Sequence, residues 1–193
     1  MTGFRAPVVE EIAAASNTAA GSVRVRTTHN PFYAACDNLG TCWLARPEMD
    51  GPFVIINGDT LFEAGILQRL LASAPDHEVT LTIDRKDSYD DDDMKVIEAG
   101  GQLQRVGKTL DRAEVTAESI GMMVFRGAGP ATFSAQLDRL MREESGLKRW
   151  YLSAIDELAQ DGRVGVCSIE GLSWCEIDDA ADLEHAATVV ADW

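Results

Sequence analysis

The sequence predicts an α/β domain built on a mixed, mostly parallel sheet. Three observations carry this reading. Segments of strand length alternate with segments of helical period along all 193 residues. The run Phe53-Val54-Ile55-Ile56 shows no polar alternation, which suits a strand buried on both faces, as in a parallel sheet. The Gly100-Gly101 pair separates two strand-like segments and marks a hairpin, so some of the sheet is antiparallel. The length suits one domain over residues 1–193, with a core large enough to need no disulfide or metal.

In chain order, Pro7 to Ala20 reads as a helix, with Val8, Ile12 and Ala15 on one face. Ser22 to Thr28 alternates Val23, Arg24, Val25 and Arg26, the pattern of a half-buried strand. Cys36 to Arg46 reads as a short helix with Leu39, Trp43 and Leu44 inward. Pro52 to Asn57 is a strand and Glu63 to Ser73 a helix. Glu78 to Asp84, Met94 to Glu98 and Gln102 to Gly107 are strands, and so is Ser119 to Phe125. Ala131 to Glu144 has Phe133, Leu137, Leu140 and Met141 on one helical face. Trp150 to Gln160 is a second amphipathic helix, turning Tyr151, Ile155 and Leu158 inward. Arg163 to Ile169 and Ser173 to Ile177 are strands. A closing helix runs from Asp179, its N-cap, to Val190.

The net charge is 17 − 32 = −15, and five aspartates between Asp87 and Asp93 supply only a third of it. So acidic a surface offers nothing to a nucleic-acid backbone or an anionic membrane. No apolar run approaches a membrane span, and Glu10 and Glu11 interrupt any signal-like start. Cys36, Cys42, Cys167 and Cys175 match no zinc or redox spacing, so they read as reduced thiols of a cytoplasmic protein. His29, His77 and His185 are dispersed and form no nucleophile motif. A small phosphorylated ligand remains compatible with this charge, because a metal or a few lysines can answer it locally.

In open α/β sheets, ligands sit at the carboxyl ends of strands. Asp59 follows one apolar strand there and Asp178 follows another, just before the last helix. Two carboxylates so placed can hold one Mg²⁺, with water and phosphate oxygens completing its shell, as phosphoryl or nucleotidyl transfer requires. The spacing is equally that of a turn residue and a cap residue. Lys86, Lys95, Lys108 and Lys148 are the only lysines. Lys95 and Lys108 flank the expected hairpin, where an ammonium can meet a phosphate. Asp90 to Asp93 reads as a solvated loop, as further carboxylates for a metal, or as a device that sets Lys95 toward phosphate. Tyr33 and Trp43 read as core aromatics or as stacking partners for a base.

The stretch Phe53-Val-Ile-Ile-Asn-Gly-Asp-Thr-Leu-Phe62 resembles the strand and metal-binding aspartate of nucleotidyltransferases that act on sugar phosphates and related phosphomonoesters. Trp174-Cys-Glu-Ile-Asp178, followed by Asp179-Ala-Ala-Asp-Leu183, is similar to that family's second metal aspartate and its helix. Val106-Gly-Lys108 resembles the lysine segment that contacts the phosphoryl substrate. Glu118-Ser-Ile-Gly121 resembles a strand lining the substrate, and the resemblance reaches Asp93-Met-Lys-Val96. Asn30-Pro-Phe-Tyr33, Asp37-Asn38-Leu39 and Cys42 to Ala45 are similar to the region of the base-binding loop, in the branch with phosphocholine and phosphonate cytidylyltransferases. The likeness runs from Gly3 to the C-terminus.

This resemblance implies a Rossmann-like three-layer nucleotidyltransferase fold and a Mg²⁺-dependent reaction. A nucleotidyl group, CMP from CTP by the Asn30–Ala45 likeness, passes to a phosphomonoester or phosphonate and pyrophosphate is released. It implies Asp59 and Asp178 as metal ligands and Lys108 as the catalytic lysine. Asn30, Asn38, Lys95, Glu118 and Gly121 are implied as substrate-binding residues. The partners implied are small molecules, with room for a homo-oligomer. One family feature is missing: no strand, glycine-rich G-x-G-x-R loop and Pro-Lys pair precede Thr2-Gly3-Phe4-Arg5. The expectation is an N-terminally truncated domain, short by a unit on the order of 40 residues, with strand edges left unpaired. An inactive remnant or weak ligand-binding domain is therefore the rival reading. A glycosyltransferase of similar fold is disfavoured, because the strand ends Asn57-Gly58-Asp59 rather than in Asp-x-Asp.

Overall fold

The computed structural model describes residues 1–18, 23–191 and 193. The chain divides into two compact units, residues 1–49 with 134–151, and residues 50–133 with 152–193.

The first unit holds α1 (Ala6–Ser16), α2 (Asn38–Ala45) and the C-terminal part of α4 (Gly129–Leu140), the helix that passes from one unit to the other. Pro7 in the first turn of α1 suits a helix start. Its expected inner face is a correction: Val8 and Ile12 are exposed, and so is Ala15. Residues 19 and 20 of that expected helix lie outside the described residues, as does Ser22. The expected strand from Ser22 to Thr28 is a second correction, since 23–28 form no strand. The side-chain amide of Asn17 takes both backbone groups of Val25, accepting from its N–H at 2.6 Å and donating to its carbonyl at 2.7 Å. Alternating valines without a partner strand thus settle onto an amide that imitates one.

The second unit carries a six-stranded sheet in the order β1-β6-β3-β7-β5-β4. Its strands are β1 (Phe53–Ile56), β3 (Val79–Asp84), β4 (Lys95–Ala99), β5 (Gln102–Gly107), β6 (Ala117–Phe125) and β7 (Val164–Ser168). A separate antiparallel pair joins β2 (Thr60–Phe62) to β8 (Trp174–Glu176). The α/β class and the mixed sheet agree with the sequence. The expected parallel majority does not, because among the described residues only β3 and β7 pair in parallel. An apolar run reports burial of faces and says nothing about the direction of the neighbour. β6, buried along its whole length, runs antiparallel to β1, β3 and β4. Likewise β1 lies at one end of the sheet order and is half-buried, with Ile56 exposed, rather than enclosed on both faces.

Helix α3 (Ala64–Ala72) sets Ile66 and Leu70 against Ile120, Met122 and Val124 on one face of β6. Strand alternation sends Phe125 to the other face. There it stacks on Phe53 at 4.4 Å between ring centroids and meets Phe133 at 4.7 Å. Helix α5 (Leu152–Gln160) is anchored to β5 through Asp156, whose carboxylate accepts the Val106 N–H at 2.8 Å. The Gly100-Gly101 turn has positive φ at both residues, as the hairpin requires. Helix α6 (Ala180–Val190) begins with the expected Asp179 cap, which accepts from the N–H groups of Ala181 and Asp182. Among the described residues, no helix is long and apolar enough to cross a membrane.

Candidate active site

Asp59 lies in a turn fixed at both ends to an irregularity in β6. Register against β3 shifts between Leu81 and Ile83, opposite Ile120 to Met122, and Gly121 there has a φ of +72°. The Asn57 N–H donates to the Gly121 carbonyl at 2.9 Å, and the Thr60 hydroxyl donates to the Ile120 carbonyl at 3.2 Å. A Cβ on Gly121 would stand 2.5 Å from Nδ2 of Asn57, so this position needs glycine for both backbone and space.

The β2–β8 pair then brings Asp178 to Asp59. Thr60 faces Glu176 in register, and one step further the Ile177 N–H donates to the Asp59 carbonyl at 3.0 Å. Both aspartates are exposed. Asp182 holds the Asp178 N–H at 3.0 Å, fixing that residue at the mouth of α6. Glu176 reports the resulting field. Partial burial raises its carboxyl above the ordinary range, the Asp59 and Asp178 charges raise it further, and the Lys108 ammonium opposes them. Asp59, Asp178 and Lys108 therefore each lie within electrostatic reach of Glu176.

Lys108 follows the last residue of β5, and its ammonium lies 3.8 Å from Asp92. A row of registered residues crosses the sheet beside it: Asp84 faces Glu118, Glu118 faces Lys95, and Lys95 faces Gly107. Glu118 is buried, and the Lys86 ammonium reaches it at 3.0 Å and Asp93 at 2.8 Å. Burial pushes the Glu118 carboxyl up to about 7, against the pull of Lys86 and with a contribution from Asp93. The Lys86 ammonium is partly buried, which works against its charge, yet both carboxylates hold it above its usual value. Lys95 is buried as well, and its ammonium donates to the Lys108 carbonyl at 2.9 Å and lies 3.5 Å from the Asp93 carbonyl.

Asp59, Asp178, Lys108, Lys95, Glu118 and Gly121 thus all belong to the second unit. Asn30 and Asn38 belong to the first, where their amides serve the fold. Asn30 is buried, accepts from the Phe32 N–H at 2.8 Å and donates to the Thr41 hydroxyl at 3.0 Å. Asn38 accepts from the Tyr151 N–H at 2.8 Å. Tyr33 is exposed, whereas Trp43 carries the Arg46 guanidinium over its ring at 4.4 Å. Sequence reasoning missed Glu176 and Asn57. The first stands two residues before Asp178, a strand period away, and the second precedes Gly58-Asp59 directly.

The donors offered by Asp59 and Asp178 are hard carboxylate oxygens. Among the described residues no group of three or more His, Cys, Asp or Glu could hold a metal ion. Such oxygens are the donor type Mg²⁺ takes, one or two carboxylates at a time with water and phosphate oxygens in its other positions. All four cysteines are free, and burial pushes the Cys42 thiol up to about 12.

No family model and no curated protein sequence matches the chain. Solved structures do. The inositol-1-phosphate CTP transferase from T. maritima superposes with a TM-score of 0.76 at 18% identity, over 96% of this chain and 71% of that one. The CTP:phosphocholine cytidylyltransferase from Streptococcus pneumoniae gives 0.71 at 16% identity, over 94% and 75%. HddC from Yersinia pseudotuberculosis gives 0.69 at 12%, over 96% and 75%. The chain has the Rossmann-like α/β fold that these nucleotidyltransferase structures share.

Proposed function

We propose that this chain is the core of a nucleotidyltransferase that joins a nucleotidyl group, CMP from CTP, to a phosphomonoester or phosphonate. The observation that carries this reading is the β2–β8 pair, which brings the backbone of the residue before Asp178 onto Asp59, with Asp59, Asp178 and Lys108 all in electrostatic reach of Glu176. The fold supports the reaction class, and the names of the superposed structures support CTP and a phosphorylated acceptor.

An oxygen of the acceptor phosphate or phosphonate attacks the α-phosphorus of the nucleotide in line. The new P–O bond forms as the bond from the α-phosphorus to the oxygen bridging to the β-phosphorus breaks, and pyrophosphate leaves with that oxygen. Lys108 binds the acceptor phosphate and holds it against its own repulsion from the nucleotide. Asp59 and Asp178 would hold Mg²⁺, which would supply positive charge to the phosphate oxygens. No covalent link to the protein is required.

Pyrophosphate release tests the reading. The full chain is incubated with Mg²⁺, each of CTP, UTP, GTP and dTTP in turn, and phosphocholine, inositol-1-phosphate, a sugar-1-phosphate or an aminoalkyl phosphonate. The expected outcome is release that needs both substrates and is fastest with CTP. Absence of release from every pair, with recovery when a strand and glycine-rich loop are fused upstream, would show that the chain is inactive alone. Absence in both forms would overturn the reading.

A further inference from the structure

Lys95 has a fully buried side chain, 1% exposed, and a charge to satisfy there. Its ammonium donates to the Lys108 carbonyl at 2.9 Å and reaches the Asp93 carbonyl at 3.5 Å. Its own N–H already donates to the same Asp93 carbonyl at 3.0 Å. Among the described residues, no carboxylate forms an ion pair with it, although Asp91 feels its field. Removing an ammonium from water is costly in general, and a purely structural tie between two strands needs no charge. The register already pairs β4 with β5 at Lys95 and Gly107. What the ammonium adds lies one residue beyond the ladder, at the main chain of Lys108.

We propose that Lys95 is a positioning residue, whose buried ammonium fixes the main chain of Lys108 and so aims the Lys108 side chain at a phosphate group. The proposal rests on the nucleotidyl-transfer reading and changes the role of Lys95 within it: Lys108 touches the ligand and Lys95 does not. A flexible four-carbon stem starting from a loose backbone would spread the Lys108 ammonium over many positions. Anchoring its own carbonyl removes part of that freedom before the ligand arrives. The same ammonium ties this segment to Asp93, whose carboxylate joins the Lys86 and Glu118 group. The end of the acidic loop and the phosphate-binding lysine are therefore held by one side chain.

The small number of lysines makes the test direct. The full chain, labelled with ¹³C and ¹⁵N in lysine only, gives four side-chain sets, from Lys86, Lys95, Lys108 and Lys148. Inorganic phosphate is the probe, with thermal midpoints recorded alongside. In the native chain, the Lys95 ammonium protons exchange slowly and stay in place while the Lys108 signals move with phosphate. In Lys95→Met, the Lys148 signals keep their positions, and phosphate affinity read at Lys108 falls about tenfold. Lys108→Met keeps the carbonyl that Lys95 holds. The Lys95 signals therefore remain protected there, and the response to phosphate is lost. This second variant decides the matter if the first does not fold. Movement of the Lys95 signals as large as that of Lys108 would overturn positioning and make Lys95 a ligand contact. Unchanged affinity in Lys95→Met, or phosphate binding that survives Lys108→Met, would overturn the proposal alone. Stationary signals from all four lysines in the native chain would overturn the proposal, and pyrophosphate release measured on the same protein shows whether the nucleotidyl-transfer reading falls with it.

Discussion

Glu118 is a carboxylic acid inside a strand whose nine residues are all buried. Its carboxyl moves from 4.5 to about 7 because burial disfavours the charge more than Lys86 restores it. The pH consequence follows from the sign of that shift. Below about 4.5 the acid is protonated in both the folded and the unfolded chain, so its burial adds no pH dependence. As the pH rises toward 7, the unfolded chain releases a proton that the folded chain keeps, and stability falls through that window. Relative to Glu118→Gln, the native chain is expected to lose on the order of 2 kcal/mol between about pH 5 and pH 7.5. Urea unfolding of the two proteins at both pH values measures this. Equal pH dependence in both would show that Glu118 ionises in place without penalty. Asp93 works in the opposite sense: burial pushes its carboxyl up, but Lys86, the Asp90 backbone and Glu118 together hold it below the ordinary range.

At the scale of elements, the turn from β1 to β2 depends on the irregularity in β6. Gly121→Ala would put a methyl group 2.5 Å from the Asn57 amide at a φ of +72°. The expected cost is about 1–3 kcal/mol of stability, with a loss of turnover larger than the stability loss explains, because Asn57 fixes the turn that carries Asp59. Urea midpoints and pyrophosphate release, measured together below the transition, separate the two effects. Full turnover in a destabilised variant would remove Gly121 from the site's support. The strands that frame this region were legible. β5 begins and ends where alternation and the Gly100-Gly101 turn put it, and β3 and β8 fall within the expected segments. β2 was not legible. Three residues, Thr60 to Phe62, cannot display a period, and only pairing with β8 makes them a strand. The alternation of Val23 to Arg26 was legible and misleading, because Asn17 satisfies the backbone that a neighbouring strand would have paired.

For the whole molecule, the −15 charge and the position of the lysines belong together. Three of the four lysines, Lys86, Lys95 and Lys108, stand at the ends of β3, β4 and β5 in the second unit, amid the acids that would otherwise repel an anion. Local cations within an acidic chain favour a small anionic ligand over an extended polyanion. The sequence placed Asp59 and Asp178 at strand ends but not beside each other. Their meeting depends on β2, the element too short to be read. It likewise identified Lys95 by its neighbours but could not separate a buried ammonium bound to carbonyls from one turned toward a ligand. Spacing likewise does not reveal that the Asn30 and Asn38 amides bond to Phe32, Thr41 and Tyr151 within the first unit. The most direct test of the account is the rate of pyrophosphate release with Mg²⁺, CTP and the best acceptor, compared between the native chain and Asp59→Asn in whichever form is active. The account predicts a fall of about 100-fold or more with the fold intact by circular dichroism; an unchanged rate would contradict the assignment of Asp59 and Asp178 as the centre of the site.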